Sequence, residues 1–111
     1  MTSEMSKCRI TVLKRTINRD LIEEYVDDAS QEVGPCDVLE EGQEFILEGF
    51  EAFATVPEGF CDWAWADIRD DIIAVATGAN MPGMKQPGMV ITGCSDWFRP
   101  VIFKIERMED D

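Results

Sequence analysis

The sequence predicts an α+β fold: a single domain of order β-α-β-α-β-β, with two helices packed on a mainly antiparallel four-stranded sheet. Three observations lead there. Residues 8–15 and 101–106 alternate apolar and polar positions, as half-buried strands do. Two other segments repeat apolar residues at three- and four-residue spacing, the period of an amphipathic helix. Only the short stretch Ser95-Asp-Trp-Phe-Arg99 separates the last two strands, so they form a hairpin. With 111 residues the chain builds one core and one domain, 1–111, with 1–7 and 108–111 expected as flexible tails.

The elements follow in order. In the first strand, 8–15, Cys8, Ile10 and Val12 share one face and Arg9, Thr11 and Leu13 the other. Asn18 is placed to cap a helix over 19–28, whose stripe is Leu21, Ile22, Tyr25, Val26 and Ala29. Gly34-Pro35-Cys36 breaks into a loop, and the Glu41-Gly42 turn leads to a short strand over 43–48. Phe50 and Phe53 can reach the core from an irregular segment. After the Pro57 and Gly59 turn, a second helix covers 62–77 and stops at Gly78, with Cys61, Trp65, Ile68, Ile72 and Val75 or Ala76 as its inward stripe. The Pro- and Gly-rich stretch 80–88 is a loop, and 89–94 and 101–106 are the closing strands.

Charge and composition exclude more than they select. Twenty-three acidic residues against ten basic leave a net charge of −13, which repels phosphate backbones and anionic lipid; neither nucleic acid nor membrane is an expected partner. The longest clean apolar run near a helix, 72–76, is far short of the ~18 residues a membrane span needs. The amino terminus lacks a basic start followed by an apolar stretch, so a cytoplasmic protein without a secretory signal is expected. There is no histidine, which removes Ser-His-Asp and Cys-His catalysis and imidazole metal ligation within the chain.

The four cysteines, Cys8, Cys36, Cys61 and Cys94, are widely spaced, with no C-x-x-C pair to pre-organise a zinc ribbon or a thioredoxin-type dithiol. Cys8 lies inside a strand and reads as core. Cys36, Cys61 and Cys94 lie near element ends; they either converge as one thiol cluster or serve as three small buried apolar residues. Cys61 has the best individual case, because a helix amino terminus stabilises a thiolate, although Asp62 and Asp67 oppose that effect.

Trp63 and Trp65 are two residues apart on a helix and cannot share a face. Trp65 continues the core stripe. Trp63 is expected to be covered by the Phe50–Phe53 segment or by Trp97; left exposed, it would be a platform for a ligand or partner. Asp67, Asp70 and Asp71 on one side of the helix could hold a hard cation, but without calcium-loop spacing they read as a solvated face.

The motifs Gly34-Pro35-Cys36, Glu41-Gly-Gln-Glu-Phe45, Pro57-Glu-Gly-Phe-Cys-Asp-Trp-Ala-Trp-Ala-Asp-Ile68 and Arg99-Pro-Val-Ile-Phe-Lys-Ile-Glu-Arg107 resemble those of a family of small uncharacterised bacterial and archaeal proteins, a domain of unknown function. The resemblance spans nearly the whole chain. It implies a prokaryotic protein in which the cysteines matching Cys36, Cys61 and Cys94 belong to the motifs while the position of Cys8 varies. It implies no activity.

The function expected from the residues is a small acidic thiol-based binding or redox module. Its candidate site is Cys36, Cys61, Cys94, Asp62, Trp63 and Asp67. If a metal is bound, a thiophilic ion such as zinc, or an iron–sulfur centre, would sit on Cys36, Cys61 and Cys94. The alternative is a non-catalytic protein-interaction domain with structural cysteines. Paired carboxylates acting as a hydrolase or lyase rank third, because Asp62 and Asp67 are out of helical register with each other.

Overall fold

The computed structural model describes residues 5–108. It contains β1 (Cys8–Arg15), α1 (Arg19–Tyr25), β2 (Glu44–Leu47), α2 (Asp62–Ala76), β3 (Met89–Gly93) and β4 (Val101–Arg107), with 3-10 turns at Asp28–Ser30 and Phe50–Phe53. The sheet order is β2-β1-β4-β3, and every neighbouring pair is antiparallel. This is the α+β architecture that the strand alternation and helix periodicity predict. Among the described residues no helix is long and apolar enough to cross a membrane.

Alternation decides which face of the sheet is buried. Cys8, Ile10 and Val12 of β1, Val101, Phe103 and Ile105 of β4, Phe45 and Leu47 of β2, and Val90 of β3 all point to one side and are buried. The register lines them into cross-strand rows: Ile10 stands opposite both Phe45 and Ile105, and Ile105 opposite Val90. The register of β1 on β4 shifts between Val12 and Lys14, leaving Leu13 as an extra, outward residue. On the outer face, Arg9 bonds Glu106 at 3.0 Å and Lys104 lies 3.3 Å from the same carboxylate.

The buried face is covered by α2. Trp65, Ile68, Ile72, Val75 and Ala76 follow the 3.6-residue period and are all buried, each larger side chain contributing about 1.5–3 kcal/mol on removal from water. Phe60, just before the helix, packs edge-on to Phe45 and Trp65 and tilted against Phe103, with ring centroids 4.9, 6.2 and 5.5 Å apart.

The helix ends in a Schellman motif. Gly78, at φ +109°, donates to Val75 O, and Ala79 donates to Ala74 O at 2.9 Å. Arg107 then reaches across from β4: its guanidinium donates to the carbonyls of Val75 (2.7 Å) and Ala79 (3.0 Å) and to Asn80 Oδ1 (2.8 Å). A cation at the negative end of the helix adds a second bond to the Val75 carbonyl and pairs that of Ala79, just past the helix. Gly88 beside it sits at φ +74°, a conformation that favours glycine, and a Cβ there would lie 3.0 Å from Arg107 Nη2.

Two expectations change. The α1 stripe is not buried as a stripe: only Ile22 is, Tyr25 is 73% exposed, and Leu21 and Ala29 are also exposed. The helix stops at Tyr25, and Ile22 lies outside the main core, bordering a small cleft with Val26 and Phe98. Asn18 stands at the N-cap position but makes no capping bond; its side chain donates to Trp97 O and its N–H to Phe98 O. Thus α2 alone covers the sheet, while α1 braces the β3–β4 connection. Of the segments expected as tails, Met5 packs on the core, Ser6 N–H donates to Ala76 O and Met108 N–H to Lys7 O; 1–4 and 109–111 lie outside the described residues.

Replacing Arg107 by Met keeps the apolar stem but removes the three bonds at the end of α2. A loss of about 1–3 kcal/mol in unfolding free energy is expected, read by urea denaturation. A separate test concerns Glu106. Partial burial acts to raise its pKa, but the hydrogen bonds and charges of Arg9 and Lys104 outweigh this and hold the carboxyl below its usual range. A depressed carboxylate stabilises the fold above its unfolded pKa, and that contribution is lost as pH falls through the folded value. Glu106→Gln should therefore be less stable than the parent at pH 7, and the gap should close below about pH 4. A gap independent of pH would refute this assignment.

Candidate functional site

The three candidate thiols are carried by separate supports. Cys61 is the N-cap residue of α2, in extended backbone conformation; its carbonyl accepts from Trp65 N–H at 2.9 Å and its side chain makes no capping bond. Cys94 follows β3 directly. Its N–H donates to Val101 O at 3.1 Å, and its Sγ accepts from Val101 N–H at 3.3 Å. Cys36 sits in the loop between α1 and β2, held by Arg15 Nη1, which donates to its carbonyl at 2.9 Å. Arg19 holds the same loop by donating to the carbonyls of Gln31 and Val33.

These supports bring all three half-buried cysteines to one cleft of about 440 Å³. Leu39, Ala64 and Val101 give it apolar walls, and Asp67, Ser95, Asp96 and Arg99 give it polar ones. Cys8, the fourth thiol, is fully buried in the sheet, where burial pushes its pKa up to about 11 and Arg107 only partly offsets the rise. The division between a core cysteine and three others thus matches their places in the sequence.

The metal expectation is corrected. No group of three or more Cys, Asp, Glu or His side chains among the described residues is placed to hold a metal ion. The reason is structural: a loop, a helix cap and a strand end set the thiols around a cavity rather than around a point. Two carboxylates of α2, those of Asp67 and Asp71, are engaged as fasteners. Asp67 Oδ2 accepts from both Ser95 N–H (2.8 Å) and Ser95 Oγ (2.9 Å), and Asp71 Oδ2 accepts from Thr92 Oγ1 at 2.8 Å. One turn apart on the helix, they tie α2 to β3 and its following turn.

The expected cover over Trp63 is also absent. The indole is 84% exposed, and Phe50 and Trp97, its anticipated neighbours, are 77% and 70% exposed. Phe53 rather than Phe50 enters the core, and its carbonyl accepts from Arg69 Nε, anchoring that 3-10 turn further along α2 than Trp63. Asp62, beside Trp63, is exposed at the first turn of the helix. So Cys36, Cys61, Cys94, Trp63 and Asp67 all line the cleft, and Asp62 stands just outside it.

Ser95, Asp96 and Arg99 complete the site and were not singled out by sequence reasoning. Asp96 accepts from the N–H groups of Phe98 and Arg99 and faces Arg99 Nε at 3.5 Å, an Asx-type turn that shapes the β3–β4 connection. A signal was present: a Ser-Asp pair immediately after a candidate cysteine, four residues before Arg-Pro. Gly93 belongs to the same device, since a Cβ there would meet Val101 O at 2.9 Å. Comparison with protein-family models, with curated proteins and with solved structures gives no match for this chain.

Proposed function

We propose that this chain is a small cytoplasmic prokaryotic binding module that works through the cleft bounded by Cys36, Cys61 and Cys94. The observation that carries the reading is the convergence of three half-buried thiols, from segments far apart in sequence, on one cavity that also carries an exposed indole. Thiols are soft, weakly polar groups, suited to packing against apolar or sulfur-containing ligands. As thiolates they are also nucleophiles toward a partner's disulfide, forming a mixed disulfide and releasing the partner's other thiolate. Ligand binding is the primary role in this reading, with exchange as the redox chemistry open to the same groups.

A second reading, a non-catalytic interaction domain, is favoured by one particular observation. Trp63 is 84% exposed, and Val38, also exposed, lines the same cleft. Large aromatic side chains left uncovered next to apolar surface mark contact sites. The two readings share a surface and differ in whether the thiols react.

Native-state alkylation with iodoacetamide, followed by peptide mass spectrometry, tests the thiol reading. Cys36, Cys61 and Cys94 should be modified in the folded protein, at least about tenfold faster than Cys8, which should react only on unfolding. If all four resist until denaturation, the thiol-lined site is refuted; if the three react but their replacement by Ser changes no binding, the interaction-domain reading stands in its place.

A further inference from the structure

Trp63 is common to two compartments. It lines the thiol cleft, and together with Asp67 it also lines a shallower groove of about 290 Å³, whose other walls are Asp62, Ala66 and Ser95. One indole is therefore shared by the thiol-lined cleft and a shallow groove that carries two carboxylates. We infer that the occupant is a basic segment of a partner protein, with an Arg or Lys side chain laid across Trp63 between Asp62 and Asp67, and an adjacent apolar side chain in the thiol cleft. The inference rests on the cleft being the binding site and adds the class of its partner.

Charge complementarity selects this occupant. Neither Asp62 nor Asp67 has a cationic partner among the described residues; the ion pairs there are Arg9–Glu106, Arg99–Asp96 and Lys104–Glu106. Both bonds that Asp67 accepts from Ser95 fall on Oδ2, and no bond to Oδ1 is made among the described residues. Arg99, the cation that lines the cleft, is paired with Asp96. The uncovered indole of Trp63 offers a cation–π contact, which the two carboxylates lining the same groove reinforce. A net charge of −13 draws a cationic segment toward this surface and repels an acidic or phosphorylated one.

The test uses the full chain and labelled peptides, read by fluorescence anisotropy, with protection of Cys61 and Cys94 from iodoacetamide as a second readout. The probe is a Gly/Ser peptide carrying alternating arginines and leucines; one counterpart replaces the arginines with glutamine and another replaces the leucines with serine. The arginine–leucine peptide should bind at least about fivefold more tightly than either counterpart at low salt, weaken as salt rises, and slow alkylation of the cleft thiols. Trp63→Ala and Asp62→Asn should each weaken binding by about threefold or more. Both positions are exposed, and unchanged thermal melting will separate a lost contact from a lost fold. Equal binding of the glutamine peptide, or undiminished binding by Trp63→Ala, would overturn the inference. So would spermine binding as tightly as the peptide with the same dependence on Trp63, which would make the groove a small-cation site. Thiols that react while no peptide binds would overturn this inference and leave the cleft itself standing; thiols that resist would overturn the cleft.

Discussion

The seating of α2 on the sheet is the constraint on which everything else depends. Burial of Trp65, Ile68 and Ile72 provides most of the attraction, but apolar packing alone is tolerant of small slides and rotations. Polar contacts remove that tolerance. Arg107 binds the carboxyl end of the helix, Asp71 holds its middle to Thr92, and Asp67 holds its first turns to Ser95. Phe60 anchors the amino end through three aromatic neighbours. These charge-assisted hydrogen bonds contribute up to about 1.5–3 kcal/mol each, no more than one buried Ile, yet they set the helix's register. Because Cys61, Trp63 and Asp67 all ride on that helix, its register is also the register of the site.

The same helix divides its labour by face. The inward stripe is apolar without interruption from Trp65 to Ala76, while Asp62, Trp63, Ala66 and Asp70 face outward. Trp63 thus brings a large aromatic surface into water in a chain that places Trp65 and Phe103 in its core. An indole left in solvent at the rim of a cleft gains nothing for the monomer's stability, which is the physical reason for reading it as a contact residue.

The strands and α2 were legible because each carries a period that one buried face enforces. Cys8, Ile10 and Val12 alternate because β1 is a central strand with one side in the core and one in water. In α1 the same kind of pattern misled. Leu21, Ile22, Tyr25 and Val26 are spaced as a core stripe, but the sheet is short and α2 already occupies it, so α1 rests on the β3–β4 connection and buries Ile22 alone. Asn18 looked like a cap and is a brace for that connection instead.

For the site, residue types and their places at element ends pointed to Cys36, Cys61 and Cys94, and to Asp62, Trp63 and Asp67 beside them. Local sequence determines that Cys61 caps the start of a helix and Cys94 follows a strand, because both boundaries are set by neighbouring turn residues. Whether those thiols meet, surround a space or stay apart is a matter of long-range geometry: the Arg15 bond to the Cys36 loop, the Asp67 bonds to Ser95, and the pairing of Cys94 with Val101. Tertiary structure also decided that Trp63 stays uncovered, since that depends on where Phe50 and Trp97 go and not on helical period. Elements and their buried faces follow from short-range periodicity; a cleft arises from contacts between segments dozens of residues apart, and only the folded chain brings those segments together.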